Sequence, residues 1–367
     1  MNAKFTFTFT YNLWEIRNSF TPLLTSTPSP DFVAETGGRG FASGGAIKKS
    51  MENEPLKRTG RTTTLVTGGK ERTVSYTIIE PNILALPRTT VIITHGFLRA
   101  GKHHFGLAEL CAERLGSRVV LWEMLPLISL GGTLAAQRAN VAALVHLVNL
   151  HLDATSEALR GDRRDGLPRD LANDPSTLAL VGFSAGGAIS IEACIELRRL
   201  SSCRPPTLLL LDAVPWPSTL SLASELPVAV CAICSLRAEP SAYNDHGKIG
   251  QLLRTVEESD SPPSECVNLQ LVGSKHVDFE SGLSVDAVSS APALTDRILG
   301  LRSSSSAARK LAHDLTLSFL RTACACNAVG QGGEDRREDA LSAEVDEERL
   351  RNLAGRQTGT GQKLLVS

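Results

Sequence analysis

The chain has 367 residues, 42% of them hydrophobic, and a formal net charge of −1 at neutral pH. That apolar share is enough for a substantial core, and the near-zero charge removes the basic face that a nucleic-acid partner requires. No run of about 18 apolar residues occurs, which excludes a spanning helix, and the chain reads as soluble. Eight cysteines in a chain of this length do not make a disulfide framework.

Residues 1–60 read as a disordered N-terminal tail rich in Thr, Ser, Pro and Gly, as in Thr25-Ser26-Thr27-Pro28-Ser29-Pro30. Its first part carries Lys4, Glu15 and Arg17 amid many hydroxyls. That composition resembles an organelle targeting segment and lacks the long apolar centre of a secretory signal, so the compartment expected is cytoplasmic or organellar. The alternation Phe5-Thr6-Phe7-Thr8-Phe9-Thr10 also has the period of a short strand. From Asn327 the chain turns glycine-rich and then densely charged, so 327–367 reads as a second disordered tail, with one short helix over Leu341–Leu353. The folded body is expected over residues 61–326.

Within that body, strand and helix patterns alternate. Strands are predicted over Thr73–Glu80, Thr90–Thr94, Arg118–Trp122, Thr177–Phe183, Thr207–Ala213, Val228–Leu236 and Val267–Val272. Helices are predicted over Phe105–Leu115, Leu134–Leu159, Ala188–Leu200 and Ser305–Cys324. The long second helix sets Val141, Leu144, Val145, Val148 and Leu152 on one face. The run Leu208-Leu209-Leu210-Leu211 is continuously apolar, as in a strand covered by helices on both sides. The fold class is therefore α/β, a doubly wound, mostly parallel sheet, whose ligands bind at the carboxyl ends of the strands. Gly161–Pro175, charged and punctuated by Gly and Pro, reads as a surface insertion.

The strand ends carry the chemistry. Gly182-Phe183-Ser184-Ala185-Gly186 fits Gly-x-Ser-x-Gly between a predicted strand and a predicted helix, the setting of a nucleophile elbow. The strand Thr90–Thr94 leads into His95-Gly96-Phe97, the strand after the elbow delivers Asp212, the next leads into Arg237-Ala238-Glu239-Pro240, and the last ends in Gly273-Ser274-Lys275-His276-Val277-Asp278-Phe279. Serine, acid and histidine thus follow the chain order Ser…Asp/Glu…His. A serine hydroxyl needs a base to take its proton, an imidazole serves as that base, and a carboxylate fixes its tautomer. The acid is Asp212, Glu239 or, less favoured by position, Asp245. The amides of Ala185 and Phe97 are the candidate oxyanion donors, while Asp278 and Glu280 orient the histidine loop and His95 shapes the oxyanion loop.

These segments together resemble the α/β-hydrolase superfamily, nearest to its chlorophyllase and platelet-activating-factor-acetylhydrolase-like branch. The likeness covers about residues 73–320 and excludes both tails. It implies hydrolysis of carboxylic esters, lipid-like or otherwise apolar, with no cofactor and no metal. In that branch the acid follows the strand after the nucleophile helix, which here is Asp212; many relatives carry His where this chain has Phe183. Most other α/β-hydrolases keep the acid one strand later, at the position of Glu239.

Other clusters read more plainly. Lys102-His103-His104 is read as a solvated helix start, since adjacent histidines on a helix do not face one another. Cys231 and Cys234 fall in a predicted strand, where positions three apart point to opposite faces, which speaks against metal or redox chemistry. Leu125, Leu127, Ile128 and Leu130 are expected as an apolar rim near the site. The partner expected is a small-molecule ester. The competing reading is a catalytically silent α/β-hydrolase-fold protein that binds a ligand or another protein.

Overall fold

Among the described residues, fifteen strands and helices follow one another, from a hairpin of β1 (Lys57–Thr67) and β2 (Lys70–Glu80). Next come β3 (Thr90–Thr94), α1 (Phe105–Leu115), β4 (Arg118–Trp122), α2 (Thr133–Gly161), β5 (Leu178–Phe183) and α3 (Ala185–Leu200). They are followed by β6 (Thr207–Leu211), α4 (Pro217–Ser221), β7 (Ala232–Arg237), α5 (His246–Glu257), β8 (Glu265–Leu271), α6 (Ser306–Val329) and β9 (Leu364–Val366). The computed structural model describes residues 56–67, 69–81, 89–97, 99–126, 133–161, 178–200, 205–240, 246–280, 306–329 and 364–366. All of them belong to the unit Asn53–Ser367. The reading of 1–60 as a tail lies almost wholly outside the described residues, as do those of 162–175 as an insertion and 341–353 as a helix.

Among the described residues the strands form a nine-stranded sheet in the order β1-β2-β4-β3-β5-β6-β7-β8-β9. Strands β4, β3, β5, β6, β7 and β8 run parallel, and β1, β2 and β9 are antiparallel to their neighbours. This is the doubly wound, mostly parallel α/β sheet that the sequence predicts. The order reverses between β3 and β5, so the crevice of the switch point opens between the ends of those two strands.

Every residue of β3, β5 and β6 is buried, because helices cover both faces of the sheet. Alternate residues serve opposite cores. Ile92, Leu180 and Leu208 pack with Leu144, Val148, Ile191 and Leu252 on one face; Val91, Ile93, Val181 and Leu209 pack with Leu107, Leu315 and Phe319 on the other. The long predicted helix forms as α2, with Leu144 and Val148 fully buried at helical spacing. The predicted strand Val228–Leu236 starts later than expected, at Ala232, because 227–229 form a turn.

Candidate active site

Ser184 stands between β5 and α3 with φ of 54°, a left-handed value uncommon outside glycine. Three backbone hydrogen bonds hold it there. The Ser184 N–H donates to the Leu211 carbonyl, and its own carbonyl accepts from the N–H groups of Gly187 and Val214, each at 3.0 Å. Such over-determination is what lets a strained dihedral persist. The turn also needs Gly182, where an added Cβ would lie 2.6 Å from the Gly186 carbonyl oxygen. Ser184 is half-buried, at the head of a helix whose first residue is Ala185.

Asp212 follows β6 directly and also has a left-handed φ, 44°. It is fully buried. Its N–H donates to the Leu236 carbonyl at 2.7 Å, its Oδ1 accepts the Ala238 N–H at 2.9 Å, and its Oδ2 lies 2.6 Å from His276 Nδ1. A carboxylate at that distance fixes the Nδ1–H tautomer and leaves Nε2 as the basic nitrogen. His276 opens a one-turn 3₁₀ helix, His276–Phe279, after β8. Asp278, buried in that turn, accepts the Lys275 N–H at 2.7 Å and so holds the loop. The Phe183 ring stacks on the imidazole, with centroids 4.6 Å apart and planes at 29°.

Glu239 engages the backbone of the same loop. Its Oε1 accepts the Gly273 N–H at 2.8 Å and its Oε2 lies 3.3 Å from Lys275 Nζ. Asp245 lies outside the described residues.

His95 is held at both ring nitrogens. Nδ1–H donates to the Gly96 carbonyl at 2.8 Å and Nε2 accepts the Met124 N–H at 3.0 Å, so the ring joins the turn after β3 to the loop after β4. Glu123 lies beside it, 3.5 Å from Nε2. Burial pushes the Glu123 carboxyl up, but the contact with His95 and the Gly101 N–H outweigh this and hold it below its usual range. The turn passes directly over the serine, since a Cβ on Gly96 would lie 2.9 Å from Ser184 Cβ. Among the described residues, no hydrogen-bond partner engages the N–H of Phe97 or of Ala185. Phe97, one residue beyond Gly96, is 50% exposed.

Two expectations are corrected. His103 and His104 do not form a solvated helix start: both are buried, on a one-turn 3₁₀ helix, Gly101–His104, that tucks under the sheet end. The His104 ring packs 5.2 Å from that of Phe183, and burial pulls its pKa well below the usual value. Leu125 is no rim residue either. It packs in the core, because Asn140 on α2 accepts its N–H at 2.7 Å and draws the loop inward. Leu127, Ile128 and Leu130 lie outside the described residues.

Sequence reasoning had no means of finding the Phe183 stack, since nothing in a pentapeptide motif tells where its second residue points. Among the described residues, no group of three or more His, Cys, Asp or Glu is arranged to hold a metal ion. No helix among them is long and apolar enough to cross a membrane. Cys111, Cys194, Cys231, Cys234 and Cys266 are free thiols, and burial pushes those of Cys194, Cys234 and Cys266 upward, away from the reactive thiolate.

No protein-family model and no curated protein matches the chain. Similar solved structures include a dienelactone hydrolase from Anabaena variabilis, 14% identical with a TM-score of 0.39, the match covering 66% of this chain and 96% of that one. A ferulic acid esterase from Streptomyces cinnamoneus is 16% identical with a TM-score of 0.44, over 75% of this chain and 91% of that one. A dienelactone hydrolase-like promiscuous phosphotriesterase from metagenomic libraries is 12% identical with a TM-score of 0.44, over 72% and 97%. Likenesses this distant assign no activity, and the chemistry has to be argued from the chain's own residues.

Proposed function

We propose that the protein is a serine hydrolase that cleaves a carboxylic ester, with Ser184 as nucleophile, His276 as base and Asp212 as the orienting acid. The observation that carries this reading is the 2.6 Å contact between Asp212 Oδ2 and His276 Nδ1, beside a serine held at φ of 54°. The two groups are 64 residues apart in sequence and meet only through the fold.

On this reading His276 Nε2 takes the Ser184 proton as Oγ attacks the ester carbonyl carbon. Asp212 stabilises the imidazolium that forms. The N–H groups of Ala185 and Phe97 receive the oxyanion of the tetrahedral intermediate, helped by the positive end of α3. His276 then gives its proton to the departing alkoxide, leaving an acyl-enzyme on Ser184. Water attacks that acyl group with His276 again as base, releasing the carboxylic acid and restoring the serine. Glu239 supports the loop and takes no proton. The half-exposed Phe97 ring offers an apolar surface one residue beyond Gly96, which favours an apolar acyl or alcohol group on the substrate.

Ser184→Ala should lower turnover of an activated ester, such as a p-nitrophenyl alkanoate, by about 10⁴-fold or more. A fluorophosphonate probe should label the native protein at Ser184 alone. Near-normal turnover in Ser184→Ala would remove the mechanism. A folded native protein that neither turns over esters nor reacts with the probe would favour the silent ligand-binding alternative.

A further inference from the structure

The two loops that carry the proposed oxyanion donor and the proposed base come from distant strands. Phe97 follows β3 and His276 follows β8, with β5, β6 and β7 lying between them in the sheet. At about 4.8 Å per strand spacing, four steps put the two strand ends on the order of 19 Å apart. No ladder hydrogen bond can set one loop against the other across that span.

A side-chain pair does. Arg99 Nε lies 2.7 Å from Glu280 Oε1, and the two side chains are only 6% and 11% exposed. Each partner also closes a backbone turn that contains or adjoins a site residue. The Arg99 N–H donates to the Gly96 carbonyl at 3.2 Å, closing the turn that carries Phe97. The Glu280 N–H donates to the Val277 carbonyl at 3.1 Å, closing the last turn of the 3₁₀ helix that begins at His276. The pair therefore joins the closing residue of one turn to the closing residue of the other. Burying two opposite charges adds little net stability over apolar residues of the same size, because desolvation cancels much of the attraction. In some systems buried polar or charged groups instead set the registry of the elements they join.

We propose that Arg99 and Glu280 form a clamp that sets the distance between the Phe97 amide and the His276 ring. Both are positioning residues that touch neither substrate nor reacting atoms. The inference rests on the reading of Ser184, His276 and Phe97 given above, and it extends that reading to the elements that keep the parts in register.

The test uses the full chain with Arg99→Gln, Glu280→Gln, Arg99→Lys, and the apolar double variant Arg99→Met/Glu280→Met. Amide hydrogen exchange is read first, over segments 95–101 and 274–280. Each Gln variant should speed exchange in both segments, including the loop it does not belong to; faster exchange confined to the substituted loop overturns the clamp. Turnover of a p-nitrophenyl ester is read second. Each Gln variant should lower kcat by about 10- to 100-fold with KM within about threefold, because misplacement by about 1 Å is costly in rate and not in binding. Arg99→Lys should recover part of the loss. The apolar double variant separates positioning from stability: its melting temperature should stay at or above the native value while kcat remains low. Native kcat in that variant overturns the clamp. Failure of the underlying reading looks different, since native protein would then lack both turnover and probe labelling while the exchange experiment still judged the coupling of the loops.

Discussion

The Phe183 ring lies stacked on the His276 imidazole, with centroids 4.6 Å apart. The same ring also meets the buried His104 ring, tilted against it at 5.2 Å, so one aromatic side chain of β5 contacts two imidazoles. The residue preceding Ser184 thereby fixes the tilt of the ring that Asp212 holds at its edge. Stacked aromatic pairs are worth about 0.5–1.5 kcal/mol beyond their buried area, equivalent to about 2- to 12-fold in rate if the energy is lost in the transition state. Phe183→Leu keeps most of the volume and removes the stack, and should lower kcat by about three- to tenfold with little change in KM. Steady-state kinetics on a p-nitrophenyl ester decides this, and unchanged kcat would mean that the stack only fills space. Phe183→Ala is the less informative choice, because emptying a fully buried site costs about 3–5 kcal/mol of stability.

Asp212 and Glu239 are separated by what each carboxylate touches. Asp212 is fully buried and meets the imidazole, whereas Glu239 meets the Gly273 N–H and the exposed Lys275 ammonium. Asp212→Asn should lower kcat by about 10⁴-fold, because the amide no longer fixes the imidazole tautomer or stabilises the imidazolium. Glu239→Gln retains an acceptor for the Gly273 N–H and should stay within about threefold of native turnover. Exposed ion pairs contribute about 0–1 kcal/mol, so its melting temperature should shift little. The two variants assayed side by side check the assignment, and an inactive Glu239→Gln beside an active Asp212→Asn reverses it.

Much of this arrangement is legible in the sequence, for reasons that differ by element. Strands β3, β5 and β6 announce themselves as unbroken apolar runs because both faces are covered, and the order of groups at their ends follows from chain order alone. β1 was missed because its sequence, Lys57-Arg58-Thr59-Gly60-Arg61-Thr62-Thr63-Thr64, carries almost no apolar signal; only Leu65 of that strand is buried, and it forms by pairing along its whole length with β2. α5 is absent from the predicted helices, although Ile249, Leu252, Leu253 and Val256 mark a buried stripe at helical spacing along it. Chain order left Asp212 and Glu239 as alternatives, since both follow adjacent strands. Where each side chain points depends on φ at a single residue, 44° at Asp212, and no composition encodes that. The burial of His103 and His104 was unreadable for a similar reason, because their helix start is tucked under the sheet end by neighbours far away in sequence.

Gly96 separates the turn that carries Phe97 from the Ser184 turn by almost no space. A methyl group there would meet Ser184 Cβ at 2.9 Å and the Phe183 ring at 3.1 Å, both below ordinary contact. Relief requires the Phe97 turn to lift away from Ser184, which moves the proposed oxyanion N–H out of reach. Gly96→Ala should therefore lower kcat by about 10²-fold, the effect of losing one donor, while overpacking costs about 1–3 kcal/mol of stability. Kinetics below the melting transition, with the fluorophosphonate labelling rate measured in parallel, separates the two effects. A variant that labels and turns over at native rates would show that the turn has room to spare.

Buried histidines make the stability of the fold depend on pH in a definite direction. Burial pulls the pKa of His151 and that of His313 down to about 4, and that of His104 well below the usual value, so all three are neutral in the folded protein at pH 7. For His313 the nearby Arg309 adds to the depression and Asp314 opposes it. In the unfolded chain these groups titrate near the ordinary value of about 6.5. Below that pH the unfolded state binds protons that the folded state refuses, so stability falls as pH drops from about 6.5 towards about 4 and is fully present above about 6.5. Urea unfolding at a series of pH values should show a plateau at pH 7–8 and a decline through that window. Carboxylates contribute at its acid end, so the histidine share is isolated by His313→Leu, which replaces a buried ring whose Nε2 has no hydrogen-bond partner among the described residues with an apolar side chain. The variant should lose less stability than native protein between about pH 6.5 and 4.5, and parallel curves for the two proteins would show that His313 does not take part in the decline.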